Sequence, residues 1–221
     1  CDMGESYYDK IIGNDEKILP YITSCNIACG FHGGDSETIS KTILLAIQNN
    51  VKIGAHPSFH DIEGFGRRKY TLKSKELESI LLYQISALKG MAESFGAKLN
   101  HVKPHGALYN MASIDLKIAE IIVKSIKKVD PNLILYGPSM NKWKELSENH
   151  GIKYLSEVFS DRNYNDDLSL VDRKLSNAMI TDPGLSLEHI NNMIEKGKVK
   201  TITGKLENIE FLSTFKSELI G

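Results

Sequence analysis

The sequence predicts an α/β fold built on a parallel sheet, and three observations carry this. Short extended runs alternate with helical patterns, each run passing through a turn or loop into a helix. The composition, 41% hydrophobic and 25% charged over 221 residues, is that of a soluble globular chain with material for one core or two. Ionisable residues, finally, concentrate where the extended runs end.

Thr23 to Cys29 is the first extended run. The helix after it starts at Asp35, whose carboxylate can cap the first-turn N–H groups, and Ile39, Ile43, Ala46 and Ile47 continue it to about residue 49. Val51 to Ala55 is the second run. Leu77, Ile80, Leu81, Ile85, Leu88, Met91, Ala92 and Phe95 then form a long apolar stripe, which Gly96 can end in the left-handed conformation. Leu99 to Lys103 is the third run, and a helix over 115–128 turns Ile118, Ile121, Ile122 and Ile126 inward. Leu133 to Tyr136, Lys153 to Val158 and Val199 to Thr203 complete the runs, with shorter helices expected near 140–149, 185–196 and 207–219. No linker, low-complexity tract or repeat divides the chain, so residues 1–221 read as one domain. Two connections, 56–73 and 159–184, exceed the roughly 12–15 residues beyond which a structureless loop is usually functional.

Composition also excludes. Lys and Arg total 27 against 28 Asp and Glu, so there is no footprint for sequence-independent nucleic-acid binding. The longest apolar stretches, Ile43 to Ile47 and Leu133 to Tyr136, fall far short of the roughly 20 residues of a membrane helix. Three cysteines, Cys1, Cys25 and Cys29, fit reduced thiols and a cytoplasmic protein better than a disulfide framework. A P-loop is absent, since Gly204-Lys205 runs into Leu206, and no G-x-G-x-x-G opens a helix after a strand.

Five polar clusters close the extended runs: Cys1 to Glu5, Asn26 to Asp35, His56 with Gly64 to Arg68, His101 to Gly106, and Glu157 to Arg162. Ligands of parallel α/β folds bind at the C-terminal strand edge, so the five would line one mouth. Pro104 forbids a regular helix through His101, Lys103 and His105, and in extended chain residues two apart share a face. Three such groups on one face of a buried strand indicate a site, because unpaired buried charge is costly. His32 is the better candidate of its cluster, with Asp35 either a helix cap or catalytic. Pro57 removes the helical geometry that would make His56 and His60 a metal pair. His150 and His189 have no polar company and receive no role. A guanidinium from Arg67 or Arg68 could clamp a carboxylate or phosphate. Asp2, Glu5, Glu157 and Asp161 supply carboxylates that, with His, could hold a divalent metal or act as general acid and base. Alternation puts Cys25, Ile27 and Cys29 on one side and Asn26 and Ala28 on the other, which makes Cys29 a packing residue rather than a nucleophile.

The segments CDMGES, SCNIACGFHGGD, IGAHPSFHDIEGFGRR, HVKPHGALYN and SEVFSDRNY resemble, in order, the LamB/YcsF family of 5-oxoprolinase A subunits. The resemblance implies a TIM-like barrel variant with about seven β/α units, of the glycoside hydrolase/deacetylase-like kind. It also implies ATP-dependent opening of 5-oxo-L-proline (pyroglutamate) to L-glutamate together with separate subunits B and C, with ATP and Mg as cosubstrate. Matching positions make Asp2, Glu5, His32, His56, Lys103, His105 and Glu157 the catalytic candidates and Asn26, Arg67 and Asp161 the substrate-binding ones. On this reading His105 or Glu157 is the general base, Lys103 steadies the oxyanion and Arg67 holds the substrate carboxylate. A divalent metal in the mouth would draw on His32, His56 and His105. The oligomeric state is open, a homo-oligomer included. Two departures stand out: the family's apolar first strand is represented only by its end at Cys1, and no Cys-Val-His-Gly-Asp-like motif follows Lys205, where a backbone break would mark a segment left out. The alternatives are a divalent-metal carbohydrate deacetylase-like hydrolase and a non-catalytic scaffold subunit, the latter requiring that the polar clusters do not converge.

Overall fold

Six strands form one sheet in the order of the sequence, β1 (Asp2–Met3), β2 (Ser24–Ala28), β3 (Lys52–His56), β4 (Leu99–Val102), β5 (Ile134–Pro138) and β6 (Tyr154–Glu157). These are elements of a computed structural model that describes residues 1–139 and 141–209. The pairs from β1 through β5 are parallel. An open doubly wound sheet reverses its strand order at a switch point, and this one does not. Right-handed crossovers then carry the connecting helices along a single face, as in a TIM-like α/β arrangement.

The helices of those crossovers are α1 (Asp15–Ile18), α2 (Ser36–Gln48), α3 (Ser74–Ser94), α4 (Gly106–Ile114), α5 (Leu116–Val129) and α6 (Asn141–Asn149). Asp35 caps α2, its Oδ1 accepting from Glu37 N–H at 2.9 Å and Thr38 N–H at 3.1 Å. That settles Asp35 as a helix cap. The apolar stripe of α3 is buried as expected at Leu77, Leu81, Ile85 and Leu88, against a core that includes Ile27, Ile53, Val102 and Ile126. Gln84 lies in the same stripe and is equally buried.

Two compact units emerge from the chain's contacts: residues 1–137 with 142–154, and residues 138–141 with those from Leu155 onward. The second unit has its own small core of Tyr164, Met193, Val199 and Ile209, with α7 (Pro183–Lys196) running into a hairpin of β7 (Lys198–Lys200) and β8 (Leu206–Asn208). Here one expectation is corrected. The run read as Val199 to Thr203 is not a further parallel strand, because β7 pairs antiparallel with β8. The reason is local: a turn over 201–205, closed by Thr201 N–H on Lys205 O at 2.9 Å and by Asp166 holding Thr201, Thr203 and Lys205, folds the chain back at once. The expected helix over 207–219 begins in β8, and from 210 on it lies outside the described residues.

Strand register positions the site. Asp2 pairs with Asn26, Asn26 with Gly54, Gly54 with His101 and His101 with Ile134, which makes one row across the sheet. Gly54 leaves a gap in that row, and the His101 ring fills it: a Cβ on Gly54 would lie 2.1 Å from His101 Nε2.

Candidate functional site

The row is the floor of a polar cluster at the C-terminal strand ends. His101, fully buried and stacked on Tyr136 with centroids 4.0 Å apart, reaches across Gly54 to Asn26 Oδ1 at 2.7 Å. Asn26 Nδ2 donates in turn to Asp2 Oδ1 at 2.8 Å. One step further along the strands, Lys103 Nζ reaches the same Asp2 oxygen at 3.0 Å and His56 Nε2 lies 3.4 Å from Asp2 Oδ2. Burial opposes the charged form of Asp2, yet His56, when protonated to donate from Nε2, the Lys103 charge and the hydrogen bond from Asn26 hold its carboxyl well below the usual range. Asp2 is therefore ionised at neutral pH, which suits its pairing with Lys103.

Loops after β1, β2, β3 and β4 supply the next layer. His105 sits at the start of α4, where the left-handed Gly106 (φ +54°) lets the chain pass close to Gly66 O. His32 and His105 stack face to face, centroids 3.8 Å apart, with Phe65 edge-on to both. His105 Nδ1 lies 2.9 Å from His56 Nε2, and His32 Nε2 lies 3.2 Å from Glu5 Oε1, which is 3.7 Å from His105 Nδ1. Glu5, His32, His56 and His105 each present one ligand atom within 4.8 Å of the others, so the set could hold a metal ion. Burial pushes His105 down to about 2, His32 well below its ordinary value and His101 to about 3, with the neighbouring imidazoles adding to the effect on the first two. Burial raises the Glu5 carboxyl. A buried carboxyl raised in this way can exchange a proton nearer neutrality than Asp2 can.

The convergence of Asp2, Glu5, Asn26, His32, His56, Lys103 and His105 is what the sequence clusters predicted. Arg67 is exposed with its guanidinium over the Phe65 ring at 5.0 Å, whereas Arg68 is paired with the buried Asp61. The doublet is thus resolved: Arg67 faces the site's rim and Arg68 fastens its own loop. Glu157 closes β6, and Asp161 follows it with its carbonyl accepting from Ile180 N–H; both belong to the second unit. Cys29 is buried with its thiol pushed up to about 12 by burial, as suits a packing residue. His60 packs its ring on Phe31 at 4.9 Å, apart from the cluster.

Two supporting residues escaped the sequence reading. Ser58 Oγ meets His32 Nδ1 at 2.9 Å, and Gln84 holds Ser58 from both sides, accepting from its N–H and donating to its C=O at 2.9 Å each. A polar residue within the otherwise apolar α3 stripe was the available signal.

Comparison with known proteins agrees with this geometry. The sequence matches the LamB/YcsF family over residues 1–215. It is 48% identical over 203 residues to a Shouchella clausii protein named as the A subunit of 5-oxoprolinase, spanning 92% of this chain and 80% of that one. A Natranaerobius thermophilus protein of the same name is 44% identical over 95% of this chain and 81% of its own. The crystal structure of a lactam utilization protein from Thermus thermophilus superposes with a TM-score of 0.90 at 37% identity, covering 95% of this chain and 85% of that one. The α/β fold, in its TIM-like variant, is therefore shared well beyond the local motifs, and the chain belongs to the LamB/YcsF family.

Proposed function

We propose that the chain is the A subunit of an ATP-dependent 5-oxoprolinase and opens the lactam of 5-oxo-L-proline to L-glutamate. The observation that carries this is the Asp2–Lys103 pair beside Glu5 and three imidazoles at the strand ends, in a chain 44–48% identical to proteins of that name. The family match over 1–215 also supports taking 1–221 as one domain. A five-membered lactam is a resonance-stabilised amide, which explains the coupling to ATP, used with Mg. Transfer of the γ-phosphoryl to the lactam oxygen releases ADP and leaves an electrophilic ring carbon. Water adds there, the ring C–N bond breaks as the amine takes up a proton, and the acyl phosphate left behind is hydrolysed by a second water to the carboxylate and inorganic phosphate.

In this scheme Lys103 stabilises the negative charge that develops on oxygen, Asp2 keeps it oriented, and Arg67 at the rim meets the substrate carboxylate. Of the base candidates, His105 has its Nε2 engaged by Phe65 O at 2.9 Å, which leaves Nδ1 as the nitrogen that faces the site. The family resemblance alone assigns Glu157 and Asp161, as further base and substrate contact. The sequence has no P-loop, so partner subunits B and C would supply at least part of the nucleotide chemistry.

Glutamate formation from 5-oxoproline and ATP, measured with and without the partner subunits, tests the reading. Lys103→Ala should lower the rate of the complex about 10²–10³-fold, the usual loss when an oxyanion donor is removed. Full activity of that variant, or no glutamate from any combination, would sink it. The imidazole cluster keeps one other reading alive, a metal-dependent hydrolase of N-acetyl sugars, and deacetylation of such sugars without action on 5-oxoproline would select it. Convergence of the first unit's polar residues speaks against a purely scaffolding subunit.

A further inference from the structure

The three imidazoles are oriented by what their outward nitrogens touch. His56 Nδ1 lies 2.6 Å from Lys103 O and His105 Nε2 lies 2.9 Å from Phe65 O. A carbonyl oxygen only accepts, so each of these nitrogens carries the proton and donates it. Ser58 Oγ gives its hydrogen to Phe59 O at 2.9 Å, so it accepts from His32 Nδ1. In neutral rings all three remaining nitrogens, His56 Nε2, His105 Nδ1 and His32 Nε2, then carry lone pairs, and all three point inward with the Glu5 carboxylate, His56 Nε2 facing Asp2 Oδ2 at 3.4 Å as well.

Four acceptors facing one another in a buried space repel. Two contacts are close, His56 Nε2 to His105 Nδ1 at 2.9 Å and His32 Nε2 to Glu5 Oε1 at 3.2 Å. Relieving both takes two added protons or one divalent cation. The spacing suits the cation: a tetrahedral ion bound at about 2.0–2.1 Å holds its ligand atoms about 3.3–3.4 Å apart. Three of the six pair distances, 2.9, 3.2 and 3.7 Å, straddle that value, and all six lie within 4.8 Å. Outward N–H groups fixed by carbonyl or hydroxyl oxygens are also the usual support of metal-bound histidines.

We propose that Glu5, His32, His56 and His105 bind one divalent transition-metal ion, zinc by preference, with Ser58 and the carbonyls of Phe65 and Lys103 fixing the ligating tautomers. Three imidazoles and a carboxylate suit zinc, cobalt or nickel and disfavour magnesium or calcium, which take all-oxygen sets. The ion would be distinct from the Mg that accompanies ATP, and the proposal stands whether or not the lactam reading does.

The test uses the full chain stripped with a chelator and titrated with zinc against a chromophoric competitor. Cobalt(II) absorption then reports the coordination. The expected result is one ion per chain, with the intense visible bands of a tetrahedral site and no thiolate charge-transfer band. Ser58→Ala should weaken zinc binding roughly 10–100-fold, the range typical when the hydrogen-bond partner of a ligating histidine is lost. Glu5→Gln and His56→Ala should weaken it further, whereas Cys1→Ser and His60→Ala should match the wild type. Circular dichroism identifies any variant that fails to fold, and Ser58→Ala, which touches no metal, remains decisive in that event. No stoichiometric uptake of zinc, cobalt or nickel overturns the proposal and leaves protons bridging the pairs. Binding lost in Cys1→Ser but intact in His56→Ala overturns it too, by placing the ion at the exposed terminus. Metal binding without 5-oxoproline-dependent activity counts against the lactam reading alone, and activity in a chain that binds no metal counts against the metal alone.

Discussion

Replacing Gly54 by Ala should destabilise the protein far more than a methyl group would suggest. The new Cβ would lie 2.1 Å from His101 Nε2 and 2.3 Å from Cδ2, where ordinary contact begins near 3.4 Å, so the ring would have to retreat by more than 1 Å. It has little room to do so, being stacked on Tyr136 and fully buried. Retreat also stretches the 2.7 Å hydrogen bond to Asn26 beyond bonding distance. Overpacking of this kind costs about 1–3 kcal/mol and a buried polar group left unpaired about 1–3 more, giving roughly 2–6 kcal/mol. Urea denaturation of wild type and variant measures it directly. The double variant Gly54→Ala with His101→Ala supplies the sharper test, since removing the ring removes the clash: it should be more stable than the sum of the two single changes implies. Additive costs, or a Gly54→Ala loss below about 0.5 kcal/mol, the range of an ordinary surface change, would refute the reasoning.

Three other outcomes follow from the same geometry. Gln84→Met keeps the volume of the α3 side chain but strips Ser58 of both backbone hydrogen bonds, and should cost about 2–4 kcal/mol by denaturant titration. Hydrogen bonds from Arg68 hold the Asp61 carboxyl at about 2, against 3.8 ordinarily. A depressed carboxyl contributes its stability in full above the unfolded value and loses it as pH falls from about 4 toward 2. Arg68→Met should therefore flatten the acid limb of a stability–pH curve, and an unchanged limb would remove Asp61 as its source. Burial pushes Cys25 and Cys29 up to about 12, so iodoacetamide at pH 8 should label native protein at Cys1 alone, with all three labelled in urea; mass spectrometry gives the count.

Much of the fold was legible because local chemistry and tertiary placement agreed. Asp35 before an apolar period marked α2, the Leu77-to-Phe95 stripe marked α3, and alternation through Cys25 to Cys29 separated the Asn26 face from the core. The helix α4 was not read, because it is short, has no side-chain cap at His105 and opens with glycine after a proline-bearing polar motif. The β7–β8 hairpin was misassigned for the opposite reason: Val199 to Thr203 has strand composition, but composition does not say which neighbour a strand will find. For the site, residue identity was readable and mutual geometry was not. Nothing in the order of residues says that Arg68 pairs with Asp61 while Arg67 lies over Phe65, or that Ser58 fixes the tautomer of His32.

The consecutive strand order has a kinetic consequence. Adjacent strands are neighbours along the chain, so the sheet can grow one β/α step at a time with modest loop closures. The site cannot grow that way. Its hydrogen bonds join residues 47, 49, 75 and 101 positions apart, from His56–Lys103 to Asp2–Lys103. They coexist only when the first four strands are all docked, and the opening of any one of them breaks up the constellation. Amide hydrogen exchange at Lys103 and His105, whose N–H groups bond to Ala55 O and Pro57 O, should therefore proceed only through openings as large as global unfolding. Chemistry placed across the sheet in this way needs four strands at once, so a chain with any one of them undocked would be inert rather than partly active.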